Sequence, residues 1–147
     1  MIDGLRELFN RDLKRLTREI EAFDDEAAIW QTRGNVKNSS GNLCLHLCGN
    51  LQTYIGALLG ETGYVRDRVA EFSLKNLPRE QLLKHIQKTA QVVDQTVVGL
   101  SAERLDALYP QEVLGKPMSV RFFLLHLYGH LNYHLGQINY LRRMISR

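Results

Sequence analysis

Proline is scarce in this chain, with three residues in 147, and no Gly-Pro-rich stretch occurs. Together with the many Leu, Arg, Glu and Gln residues, that scarcity favours helix over strand and predicts an all-α protein. Long apolar runs are missing as well. None approaches the roughly 18 uninterrupted apolar residues of a membrane span. Charges from Asp3 and Arg6 onward are unlike a secretory signal, so a cytoplasmic protein with no membrane partner is expected. Cysteine is limited to Cys44 and Cys48, one helical turn apart, where side-chain directions suit a disulfide poorly. This usage is compatible with a reducing compartment. A strong excess of one charge is lacking too. The net charge is +3, and Arg6, Arg11, Lys14, Arg15 and Arg18 are interleaved with Glu7, Asp12 and Glu19. Such a mixture marks a solvated helix face rather than a nucleic-acid footprint. Arg142 and Arg143 complement a helix dipole, and no recognised nucleic-acid motif accompanies them. The Glu-x-x-His pairs of ferritin-like di-iron bundles are absent.

What is present is helical periodicity. With 44% apolar and 24% charged residues, positions 1–147 read as a single domain able to bury a core without staples. Leu5, Leu8, Phe9, Leu13, Leu16, Ile20 and Phe23 recur at three and four residues, the repeat of one buried helical face. A short helical continuation is expected around Ala28 and Trp30, before turn-forming residues from Gly34 to Gly41 break the pattern. Ser39 or Ser40 starts a second helix through Leu43, Leu47, Leu51, Ile55 and Leu58, which leaves at Gly60–Gly63. About 15 residues from Gly63 onward read as a loop, a crossover whose Tyr64 and Phe72 simply pack. Arg66 and Arg68 on it read as surface arginines, with recognition of an acidic thiol cofactor as the lesser reading. Pro78 suits the first turn of a third helix carrying Leu82, Leu83, Ile86, Val93 and Val97. After a short capped turn at Ser101–Leu105, Ser119 caps a fourth helix that extends to about Ile145. Four long amphipathic segments joined in this way specify a four-helix bundle.

The stretch Leu45–Leu51 is similar to Leu125–Leu131, a match too short for a solenoid. Two helices facing each other through small residues would account for it. Gly49, Gly56, Gly129 and Gly136 each cost about 1 kcal/mol of helix propensity relative to alanine, which a close backbone approach would offset.

Four of the five histidines sit in apolar helical settings: His46, His126, His130 and His134. Neutral imidazole is the commonest protein ligand for zinc, nickel and related ions. Residues four apart rise roughly 6 Å on one face and can share an ion; residues eight apart rise about 12 Å and cannot. Either His126 with His130 or His130 with His134 therefore forms the pair. His46 is the candidate from across the core, since Cys44 and Cys48 lie about 200° around the helix from it. Three imidazoles leave a coordination position for water or substrate, as in catalytic sites. Asn50, Tyr133 and Gln137 are near enough in sequence to orient the rings. His85, alone beside Lys84, reads as an ordinary structural histidine. His126 is weighed first as a packed or supporting group and second as a ligand.

His130-Leu-Asn-Tyr-His134-Leu-Gly-Gln137, with a lone histidine in helix two, resembles the DinB/YfiT-like superfamily of metal-binding four-helix bundles. The segment from Asn42 to Leu51 also resembles the helix-two signature of an uncharacterised branch. The resemblance implies an up-down-down-up bundle, a divalent ion, nickel or zinc, on His46, His130 and His134, and a homodimer. It also implies a low-molecular-weight thiol such as bacillithiol, mycothiol or glutathione for some relatives, the metal stabilising a thiolate that attacks an electrophile. The chain has Leu135 where arginine is common in that family, and the additional His126. Two functions follow as expectations. The first is a metal-dependent thiol S-transferase or hydrolase acting on a small-molecule substrate. The second is a non-catalytic, dimeric, stress-related or structural metal-binding protein. Nothing in the sequence assigns a catalytic side chain.

Overall fold

The computed structural model describes residues 1–146. Helix α1 (Ile2–Glu21) leads through a 3-10 turn (Glu26–Trp30) to α2 (Ser40–Leu51). That helix runs on through a π-helical segment (Gln52–Ala57) and a last turn (Leu58–Gly60). Short α3 (Arg68–Ser73) precedes α4 (Arg79–Val98), short α5 (Ala102–Asp106) and long α6 (Val120–Ile145). The described residues form no strand; an isolated antiparallel bridge joins Leu108 to Ser119. No described helix is long and apolar enough to cross a membrane.

Side-chain pairs give the helix directions. Arg6 meets Asp94, and Arg79 reaches back to Phe23, so α1 and α4 are antiparallel. Asp12 meets Tyr128 and Glu19 meets Arg142, so α1 and α6 run together. His46 opposes His130 while Tyr54 opposes Phe123, which sets α2 against α6. Gln52 bonds Thr89, and Gly56 and Gly60 approach Val92 and Thr96, so α2 and α4 are parallel. The bundle is therefore up-down-down-up, with α1, α2, α4 and α6 as its long members. Every residue of Ser40–Leu51 is buried, the condition of a helix covered on all sides. The covering comes from α3, α4 and α6 together.

Caps fall where the sequence places them. Ser39, rather than Ser40, accepts from Asn42 N at 3.1 Å, and Ser119 accepts from Phe122 N at 3.1 Å. Two expectations need correction. The stretch after Gly63 is not all loop, because Asp67 caps α3 by accepting from Ala70 N and Phe72 on it packs against the His46 ring. Nor do α2 and α6 meet through glycines. Gly49 makes room for Glu71 and Gly56 for Val92, whereas a side chain added at Gly129 or Gly136 would meet open space.

Candidate metal centre

His46 projects from the all-buried α2 and is itself 7% exposed. His130 and His134, one turn apart on α6, project towards it from the antiparallel neighbour. One ring nitrogen from each of the three lies within 4.8 Å of the others. His46 Nε2 and His130 Nε2 are 3.2 Å apart, and the His134 ring centroid is 5.2 Å from that of His46 and 4.6 Å from that of His130. Two nitrogens each about 2.1 Å from a tetrahedral ion stand roughly 3.4 Å apart, so the observed facing pair fits such an ion without rearrangement.

The far nitrogens explain the orientation. His46 Nδ1 lies 3.1 Å from Glu71 Oε1. Arg66 Nη2, which can only donate, also lies 3.3 Å from Nδ1, but it already donates to Glu71 Oε1 at 2.9 Å. The shorter contact, to a carboxylate that only accepts, places the proton on Nδ1 and turns the Nε2 lone pair to the centre. His134 Nδ1 lies 2.7 Å from Gln137 Oε1, with the same consequence. His130 Nδ1 is buried without a partner. Burial first, then the neighbouring His134, His46 and His126 and the Arg66 charge, pushes the His130 pKa down to about 4. Burial also lowers that of His134, against the opposing hydrogen bond to Gln137. Both rings are therefore neutral near pH 7, the form in which imidazole ligates.

Glu71, on α3, was not singled out from the sequence. It is 6% exposed and receives Arg66 Nε at 2.8 Å and Nη2 at 2.9 Å. Burial opposes its ionisation, but hydrogen bonds from His46 and Arg66 and the Arg66 charge outweigh burial and hold the carboxyl below its usual range. Arg66 is accordingly not a surface arginine: its side chain is 14% exposed and its guanidinium lies 5.9 Å from the Tyr54 ring, on the π-helical segment. Arg68 is exposed, over the Phe72 ring. His126 stands outside the group, exposed and stacked on Phe123 at 5.5 Å. His85 is exposed on α4. Of the three supporting residues expected, Gln137 bonds a ring, Tyr133 lies edge-on to His134, and Asn50 Oδ1 is buried with no partner. Cys44 and Cys48 are buried, Cys48 towards Thr89 of α4. A cleft of about 380 Å³ opens beside His134 and Gln137, walled by Val36, Leu43, Tyr140 and Met144.

Residues 1–147 match throughout the family described as "Protein of unknown function (DUF1572)". The chain belongs to the DUF1572 family. A solved structure, a DinB-like protein from Bacillus cereus ATCC 10987, superposes with a TM-score of 0.75 at 15% identity, covering 97% of this chain and 91% of that one. At that identity the likeness establishes the DinB-like fold. Comparison with curated proteins finds no match. The DUF1572 chain thus has the helical bundle that its four amphipathic segments specified, with a three-histidine group able to hold an ion at the α2–α6 seam.

Proposed function

We propose that His46, His130 and His134 hold a divalent ion, zinc or nickel, and that the protein is a metal-dependent thiol S-transferase or hydrolase of small molecules. The observation that carries this reading is the convergence of three imidazole nitrogens within 4.8 Å from two helices. When bound, such an ion lowers the pKa of coordinated water or stabilises a thiolate. The chain's own residues supply the rest. Glu71 and Gln137 fix two rings with their lone pairs inward, and burial keeps His130 unprotonated. Three protein ligands leave a position open, and the cleft beside His134, at about 380 Å³, lies in the range of small-molecule pockets. Its walls are mainly apolar, with Lys37 and Asn38 on one side, which suits a substrate with an apolar body and a polar group. The two free, buried cysteines accord with a cytoplasmic setting.

We also propose that the protein is a homodimer built on α6. Phe122, Leu125, Tyr133, Tyr140 and Met144 are exposed along it, at steps that frame the open Gly129 and Gly136; the last three of these side chains also line the cleft, which the second copy would then border.

The ion is tested by elemental analysis of protein purified without an affinity tag, wild type against His130→Ala. The wild type is expected to carry about one equivalent of metal and the variant far less. Equal content in the two would remove the reading. Metal-dependent turnover across a panel of thiols, electrophiles and esters supports the enzyme. Metal binding that raises the melting temperature with no turnover assigns the ion to the alternative, a non-catalytic structural role.

A further inference from the structure

The helix-two segment Asn42–Asn50 carries an arrangement that ligation alone does not explain. Asn42, His46 and Gly49 follow one another at four and three residues and so share one face of α2. All three meet the same partner, the short helix α3. Asn42 Nδ2 donates to the carbonyls of Glu71 at 2.9 Å and Leu74 at 2.8 Å, holding the end of that helix. Asn42 Oδ1 in turn accepts from Ser39 Oγ at 2.7 Å and Lys75 Nζ at 2.6 Å. His46 Nδ1 meets the Glu71 carboxylate. At Gly49 an added Cβ would lie 1.9 Å from Glu71 Oε2. The carboxylate therefore rests directly on the glycine backbone, in space that no other residue would leave free. Arg66 closes the remaining side with two hydrogen bonds to the carboxylate, and its Nη2 stands 3.3 Å from His46 Nδ1, ready to donate to that nitrogen if the carboxylate is removed.

From this geometry we infer that Glu71 is the positioning residue of the centre, and that Asn42, Gly49 and Arg66 form the seat holding its carboxylate against His46. The inference deepens the metal reading and rests on it for the consequence at the ion. Its local content, the His46 tautomer, stands by itself. With Glu71 seated, His46 is protonated on Nδ1 and bare on Nε2, and the ring is aimed at His130. Without it, the ring is free to carry its proton on the nitrogen that faces the centre. A crossover segment, rather than either ligand-bearing helix, thereby decides whether α2 offers a lone pair. Carboxylate–imidazole pairs behind a metal typically contribute a factor of about 10–100 in affinity.

The experiment uses full-length Glu71→Ala, Glu71→Gln and Gly49→Ala proteins beside the wild type. Long-range proton–nitrogen correlation spectra of the metal-free proteins read the His46 tautomer, and competition with a chromogenic chelator reads zinc affinity. The wild type is expected to show the Nδ1–H tautomer. Glu71→Ala is expected to lose it and to bind zinc about 10–100-fold more weakly. Glu71→Gln, which keeps an acceptor, is expected to recover part of both. Gly49→Ala discriminates positioning from folding, because only the flexible end of Glu71 has to move away from the new methyl. It should reproduce the Glu71→Ala tautomer while remaining folded. An unchanged tautomer in Glu71→Ala and Gly49→Ala, or zinc affinity within about twofold of wild type in both, overturns the inference. If Glu71→Ala does not fold, the Gly49→Ala spectrum decides alone. Wild-type protein that binds no zinc would sink the metal reading instead, leaving the tautomer comparison to judge the seat.

Discussion

Asp12 is completely buried, although it sits among arginines on a helix whose charges alternate in sequence. It accepts from Arg11 and Arg15 on its own helix and from the Tyr128 hydroxyl at 2.6 Å and Asn132 at 3.1 Å on α6. Burial works against its charge, but these hydrogen bonds and the Arg11 charge win and keep its pKa below the ordinary aspartate value. Asp12→Ala would leave Tyr128 and Asn132 facing an empty acceptor position, and is expected to lower stability by about 2 kcal/mol; urea denaturation measures it. A folded-state pKa below the unfolded one means that this stability is present above pH 3.8, the unaltered value, and is lost as pH falls through the lower, folded-state value. The wild-type advantage over Asp12→Ala should therefore shrink only in strong acid. Alternating signs made this residue read as solvated. The competing signal was its register: Phe9, Asp12, Leu13 and Leu16 share the buried repeat, and a charge at such a position needs partners from another helix. The three converging histidines were legible for the opposite reason, since imidazoles in an apolar run stand out from the packing residues around them.

Helices α1, α4 and α6 were readable because each repeats its apolar positions over 20 residues or more. Helix α3, at six residues, is too short to display a period or to be stable alone. It exists through its Asp67 cap and the clasp of Asn42 and Glu71, contacts that join positions 25 to 32 residues apart. That is why Glu71 escaped a reading based on local spacing. Caps belong to the same scale. Ser119 accepts the Phe122 amide at the start of the 26-residue helix that bears two of the three histidines. Ser119→Ala is expected to lower stability by about 1 kcal/mol while leaving zinc affinity unchanged, because His130 lies three turns away. Calorimetry and chelator competition together check this; an equal loss at the metal would mean that the cap also tunes the site.

At the scale of the whole molecule, α1 and α2 occupy opposite corners of the bundle, and α4 and α6 fill the corners between them. One side of α6 is left outside the core, with its two open glycines framed by aromatic and aliphatic side chains. Each glycine weakens the helix by about 1 kcal/mol relative to alanine, a loss that close approach of a second copy would offset. Light scattering at micromolar concentration is expected to give twice the chain mass for the wild type and a single chain mass for Gly136→Arg. A wild type that is monomeric throughout would reject the interface. This surface was not separable from the core by sequence, because an exposed apolar stripe and a buried one have the same period.

Both sulfhydryl groups of the protein, Cys44 and Cys48, are sealed inside the bundle at 0% and 3% exposure, on a side of α2 that looks towards α4. Sulfur chemistry at the histidine seam would have to begin with a molecule brought in from solution. The polypeptide offers no accessible thiol of its own there, so a thiol-blocking reagent would leave the folded protein unmodified.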